Sequence, residues 1–345
     1  MASKAIRWRM LALLIAACIG ACGRSGNLPV AAIESGTLTD PRPALAHPVT
    51  VSGVSSGGYM AVQTHVALSD RVAGVGVVAA GPYHCAEGSV ANALGRCISG
   101  DDLDVRPLVS FTREAAASGE IAATEYLRDA KVWIFHSPKD AVVGPRVAAA
   151  LADFYREFLS ADRVSLVDDI AAAHGWPTLD AGSDCLEMGG DFINACGFDT
   201  AGNLLNHLYE NLNPRVAETV GEVLSSIDLS GYFESGSSVA DTGYIFVPKQ
   251  CRQSNADCRL HISFHGCRQG AEFIGDRFAA KSGLNEWAAQ NRIVVVYPQI
   301  ESSPVNQLGC WDWWGYTGLQ YDRRSGKQIS GIDAVITAFS KLALY

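Results

Sequence analysis

At 345 residues, 48% of them hydrophobic, the chain is long enough for one large α/β domain with a substantial core. Its 36 acidic against 27 basic side chains give a net charge of −9. That balance argues against nucleic acid or an anionic membrane as a partner and suits a neutral substrate.

The first ten residues carry Lys4, Arg7 and Arg9 and no acid, and run straight into the apolar stretch LALLIAACIGAC. This order predicts an export signal over 1–22, whose apolar stretch is shorter than the roughly 20 residues a spanning helix needs. Cys18 and Cys22 each follow small residues, in IAAC and IGAC, as at the sites where bacterial lipoproteins are cleaved and lipidated. Cys22 is favoured because it leaves the longer apolar core; ordinary cleavage without a lipid is the alternative. Losing residues 1–21 removes three cations and no acid, which moves the net charge from −9 to −12. Residues 23–46, rich in Gly, Pro and small side chains, read as a flexible tether, and 47–345 as a single catalytic domain.

Within that domain, short β-rich runs alternate with helical patterns, the signature of a mainly parallel sheet with helices on both faces. The predicted strands are 49–53, 72–80, 131–136, 164–167, 243–248, 260–265 and 293–298. Between them Val147, Leu151, Phe154 and Phe158 recur at helical spacing. A last helix carries Ile332, Val335, Ile336, Phe339 and Leu342, with Ser330 and Asp333 spaced as a capping box.

Eight cysteines follow the signal, and an even count in an exported chain predicts disulfides. Three pairs are near neighbours, Cys85–Cys97, Cys185–Cys196 and Cys251–Cys258, which leaves Cys267–Cys310 by elimination. Zinc is the competing reading, but none of these pairs has the two-residue spacing common at zinc sites, so no metal is expected.

Gly53, Val54, Ser55, Ser56 and Gly57 spell GxSxG between an apolar strand and a helical stretch. There the small flanking residues permit the strained turn that presents a serine nucleophile. A serine hydroxyl needs an imidazole oriented by a carboxylate. His174 follows the strand at 164–167 through the irregular loop AAHGWPT, and Asp140 follows the strand at 131–136. Asp168 and Asp169 end the strand that leads to His174 and so occupy the wrong slot, while His65 and His136 read as structural. Ser55, Asp140, His174 is the chain order of α/β-hydrolases. One element is displaced: the His265-Gly266-Cys267 motif, of the type that supplies an oxyanion amide ahead of the elbow, comes more than 200 residues after Ser55. A circular permutation resolves this, with the amides of Ser56 and Cys267 facing the oxyanion.

GVSSGGYMA, AHGWPT, CGFDTAGNLLNHLY, CRLHISFHGCRQG, NRIVVVYPQ and GCWDWWGYTGLQY occur in this order. From about residue 47 onward the chain resembles the catalytic domain of the poly(3-hydroxybutyrate) depolymerases and related esterases. The resemblance implies a circularly permuted α/β-hydrolase fold with Ser55 as nucleophile, Asp140 as acid, His174 as base and Ser56 and Cys267 as oxyanion donors. It also implies hydrolysis of short-side-chain polyesters with no cofactor. Trp311, Trp313, Trp314, Tyr316 and Trp176 are candidates for lining an apolar substrate cleft, with core packing as the alternative. Two departures stand out: HSPKD lacks the glycine expected before the acid, and the sequence carries no linker or separate substrate-binding domain. The second predicts faster turnover of soluble oligomers or amorphous polymer than of crystalline film. The rival functions are a feruloyl or acetylxylan-type polysaccharide esterase and a non-catalytic surface-binding lipoprotein. Each reading puts the chain in the periplasm or outside the cell.

Overall fold

The computed structural model describes residues 47, 49–216, 224–252 and 257–342. The predicted signal, both lipidation candidates and the tether lie outside these residues. In chain order the described strands are β1 Val49–Val54, β2 Val72–Val78, β3 Lys131–Phe135, β4 Val164–Val167, β5 Trp176–Thr178 and β6 Ser183–Asp184. They continue with β7 Ile193–Ala195, β8 Leu224–Asp228, β9 Thr242–Phe246, β10 Arg259–Phe264 and β11 Ile293–Tyr297. Seven of them coincide with the apolar runs of the sequence. Sequence reading missed β8 and the short strands β5 to β7.

The main sheet has the order β4-β3-β2-β1-β10-β11-β9-β8, and β5, β7 and β6 form a small second sheet. From β4 across to β11 every pair is parallel; β9 runs antiparallel to β11 and β8 antiparallel to β9. The first strand of the described chain thus sits mid-sheet, and the four strands on one side of it come from residues 224–297. This is the permuted α/β-hydrolase arrangement, in which the early strands of the ordinary fold arrive last in the chain.

Alternation along the strands feeds one core on each face of the sheet. Val75, Val77, Val132, Ile134, Ile262 and Phe264 point to one side, where helices Ser56–Ala67, Val105–Ala117 and Lys327–Leu342 pack. Val78, Trp133, Phe135, Val295 and Tyr297 point to the other, against helices Thr200–Tyr209 and Leu284–Asn291. Gly76 allows the second layer its close approach: a Cβ there would lie 3.1 Å from Leu204 Cδ1.

Two helix readings need correction. The last described helix starts at Lys327, so Ser330 lies inside it rather than capping it. The Ser330 amide donates to Gly326 O at 2.8 Å and its hydroxyl turns back to Lys327 O at 3.3 Å, while Asp333 pairs with Arg71 of the neighbouring layer. The earlier helix ends at Arg156, and Phe158 sits in the turn beyond it with its ring 5.3 Å from that of Phe154.

All eight cysteines pair as expected, Cys85–Cys97, Cys185–Cys196, Cys251–Cys258 and Cys267–Cys310. Zinc is thereby left without a thiolate, and the bonds mark an exported chain. Among the described residues no helix is long and apolar enough to cross a membrane.

Three fully buried histidines make an acid-sensitive framework. His65 contacts Tyr155 Oη at 2.9 Å; His261 contacts Thr50 Oγ1 at 2.7 Å and Ser52 Oγ at 2.8 Å. Burial pushes both down to about 3, and pushes His265 down to about 4 against an opposing hydrogen bond to Gly266. The unfolded chain takes up protons near the ordinary histidine value of about 6.5 while the folded protein refuses them. Their stabilising contribution is therefore complete above that value and is lost as pH falls towards the folded values. The urea midpoint is expected to drop between about pH 7.5 and about pH 5, above the range where most carboxylates titrate; an unchanged midpoint contradicts the assignment.

Candidate active site

Ser55 lies between the end of β1 and helix Ser56–Ala67 with φ 56° and ψ −123°, a left-handed backbone that serine rarely adopts. The flanking glycines make that turn possible. A Cβ on Gly53 would lie 2.1 Å from Gly57 O, and one on Gly57 would lie 2.2 Å from Phe264 O and 2.3 Å from His265 O. The helix behind the turn is buried along its whole length, so the elbow rests on packed core.

Three side chains from three loops meet at this point. His174 Nε2 lies 3.0 Å from Ser55 Oγ, and His174 Nδ1 lies 2.8 Å from Asp140 Oδ2. The other carboxylate oxygen of Asp140 accepts the amides of Val142 at 2.8 Å and Val143 at 2.9 Å. Burial pushes the Asp140 carboxyl up, but the hydrogen bond and charge of His174, with those two amides, outweigh it and hold the group below its usual range. The turn thus works without the glycine missing from HSPKD. Asp168 and Asp169 are exposed, and His136 is buried with neither ring nitrogen hydrogen-bonded.

The displaced motif lands beside the elbow because β10 pairs with β1 in parallel, Gly53 opposite Phe264. His265 donates from Nδ1 to Gly266 O at 2.8 Å and accepts the Ile300 amide on Nε2 at 3.1 Å, and its burial keeps it neutral for both roles. The Gly266 amide is held by Gln269 Oε1 at 2.7 Å. The amides of Ser56 and Cys267 have no hydrogen-bond partner among the described residues. The Cys267–Cys310 disulfide fastens this loop to the tryptophan segment.

A cavity of about 400 Å³ opens over Ser55, Ser56, His174 and Cys267 with mainly apolar walls. Trp313 and Trp314 line it, and the Trp313 ring stacks on Tyr59 at 4.5 Å. The other aromatic candidates do not reach it. Trp311 is fully buried, edge-on to Phe264, and Trp176 is fully buried with its indole N–H on Ser282 O at 2.8 Å. Tyr316 gives its hydroxyl proton to Cys310 O at 2.8 Å and braces the loop instead. None of the three lines the cavity: Trp176 and Tyr316 spend their polar hydrogens on backbone carbonyls, and Trp311 is packed into the core with its indole nitrogen unpaired.

Sequence reading missed the parts that order these loops. Gln269 ties the His265-Gly266-Cys267 loop to the carbonyls of Asp191 at 2.9 Å and Phe192 at 3.0 Å. Asp312, whose carboxyl burial pushes up, collects the amides of Gly315, Tyr316 and Thr317 within 3.0 Å and shapes the tryptophan segment. The mouth was missed as well: Val90, Leu94, Met188, Val305 and Leu308 line it, and each is more than half exposed. A buried carboxylate that accepts backbone amides leaves only the order Asp-x-x-Gly in the sequence, and the mouth is assembled from the short helix Val90–Leu94 and two loops distant from it in the chain.

No family model matches the chain. A poly(3-hydroxybutyrate) depolymerase of Delftia acidovorans is 38% identical over 344 residues, which cover 99% of this chain and 67% of that protein. A polyhydroxybutyrate depolymerase of Talaromyces funiculosus is 35% identical over 300 residues, covering 82% of this chain and 87% of the relative. Among solved structures, a serine-to-alanine variant of PHB depolymerase complexed with an R3HB trimer superposes with a TM-score of 0.79 at 31% identity, over 88% of this chain and 98% of that one. The PHB depolymerase from Penicillium funiculosum gives 0.77 at 32% identity, over 86% and 95%. Shared identity along nearly the whole described body, on the same permuted sheet, makes this chain a carboxylic ester hydrolase and a member of the poly(3-hydroxybutyrate) depolymerase family.

Proposed function

We propose that the protein hydrolyses poly(3-hydroxybutyrate) or its oligomers through an acyl-enzyme on Ser55. The observation that carries this is the unbroken hydrogen-bonded line from Ser55 Oγ through His174 to Asp140, opening into an apolar cavity. His174 Nε2 takes the Ser55 proton as the oxygen attacks the ester carbonyl, and Asp140, held ionised, stabilises the resulting imidazolium. The amides of Ser56 and Cys267 receive the oxyanion, a contribution of roughly 3 kcal/mol per donor. The imidazolium then protonates the departing alkoxide oxygen so that the alcohol fragment leaves; water, deprotonated by the same imidazole, attacks the acyl carbon, and as the bond to Ser55 Oγ breaks the imidazolium returns its proton to that oxygen and the 3-hydroxyacid is released. These steps use only side chains, backbone amides and water.

The exposed apolar mouth supports contact with a hydrophobic solid as well as with dissolved chains. Whether soluble oligomers or amorphous polymer are turned over faster than crystalline film, as expected from sequence, is read in the product assay below. The export signal supports a site of action in the periplasm or outside the cell, with Cys22, or Cys18, as the lipidated residue; the intact mass of the mature protein reports whether the lipid is present.

The test is the product spectrum. Acid released per enzyme from soluble 3-hydroxybutyrate oligomers, amorphous granules and crystalline film is expected to exceed release of ferulate or acetate from acylated xylans. The opposite order favours the polysaccharide esterase. No turnover of any ester, with no labelling by a fluorophosphonate, favours a binding protein.

A further inference from the structure

We propose that Arg268 recognises the terminal carboxylate of short hydroxyacid oligomers and so ranks them above chains without a free acid nearby. This rests on the ester-hydrolase reading above. Among the described residues Arg268 is the sole Lys or Arg lining the cavity, and no Asp or Glu lines it. In a protein with 36 acidic residues, a cation at this place without a carboxylate partner among the described residues is unexpected. The acid on the facing loop, Asp191, is engaged by Arg277 at 2.7 Å. The Arg268 guanidinium instead lies over the Phe192 ring, 5.9 Å from its centroid, and the residue is solvent-exposed.

The backbone holds the side chain at the mouth. Arg268 has φ 61°, a conformation glycine adopts more readily, and its amide donates to Leu308 O at 2.7 Å. It directly follows Cys267, which the disulfide to Cys310 fixes beside Ser55. The arginine is therefore anchored next to the reacting centre and its head is left free.

Substrate chemistry supplies the matching group. A linear hydroxyacid oligomer ends in one carboxylate, carried by the fragment that leaves as the alcohol when its last ester is cut. An ester deep inside a long polymer has no such group within reach. A guanidinium binds a carboxylate through two parallel hydrogen bonds, a geometry lysine cannot reproduce.

The experiment compares the 3-hydroxybutyrate trimer as free acid with the same trimer capped as its methylamide, which is neutral at that end. The ratio of their kcat/KM values is read within each protein, so general losses cancel. The native protein is expected to favour the free acid by about fivefold, an exposed charge-assisted contact being modest. In Arg268→Gln the ratio is expected to fall to about one, while Arg268→Lys retains part of it; raising the salt to about 0.5 M shrinks the native ratio. A native ratio of one, or a preference that survives in Arg268→Gln, overturns the proposal. Turnover of the capped trimer reports the ester-hydrolase reading separately, and a protein that cleaves neither trimer overturns both.

Discussion

Ser55→Ala is expected to lower kcat/KM on 3-hydroxybutyrate esters by about 10⁴-fold or more, with the fold unchanged. The substitution removes the oxygen that lies 3.0 Å from His174 Nε2, and alanine inherits the same backbone strain with a smaller side chain. Circular dichroism and the urea midpoint should match the native protein, while fluorophosphonate labelling disappears. Ser56→Ala is the control. Its hydroxyl accepts the Trp311 amide at 3.3 Å, and its own amide, the proposed oxyanion donor, survives the substitution. An active Ser55→Ala beside an inactive Ser56→Ala would end the assignment. The histidines separate in the same way: His174→Ala should follow Ser55→Ala, whereas His136→Ala, with no hydrogen bond to either partner, should act mainly on stability.

Gly57→Ala should cost at least about 3 kcal/mol and yield little folded protein, because the added methyl has nowhere to go. Its nearest neighbours are Phe264 O and His265 O, backbone atoms of β10 and the loop after it that no rotamer change can clear. Gly119→Ala is the comparison: φ there is +76° and a Cβ meets nothing within 4 Å, so only the left-handed strain of about 1 kcal/mol remains. Matching urea midpoints for the two variants would show that β10 yields easily, and that the elbow is not clamped between strand and loop.

What sequence revealed of this molecule follows from how each feature is encoded. Strands β2, β3 and β11 are buried on both faces and appear as nearly unbroken apolar runs, while β1 and β10 alternate apolar residues with Thr50, Ser52, His261 and Ser263, which hydrogen-bond to one another between the two strands. Strand β8, Leu224–Asp228, buries one residue of five and leaves no such run. Ser55, His174 and Asp140 were legible because a strained turn and two loop positions after successive strands constrain their neighbours. The assignment of a cleft to Trp311 and Trp176 failed for a related reason: an aromatic beside a catalytic motif can face either side of its loop. Only burial tells the sides apart. Arg268 and Gln269 lay in plain sight within HGCRQG, yet their partners Phe192 and Asp191 are contributed by a loop more than 70 positions earlier.

The central position of β1 also governs the order in which the molecule can be completed. Its register places Thr50 opposite His261, two residues 211 apart in the chain. A growing or freshly exported chain can pair β1 with β2 early, but the other edge of β1 stays bare until the final third has arrived. Closing so long a loop is slow compared with forming the local β1-helix-β2 unit. The Ser55 turn therefore exists before the Cys267 amide can face it, and esterase activity should be the last property to return on refolding, after most secondary structure. An exported hydrolase built in this order remains inert towards esters until its C-terminal strands have docked.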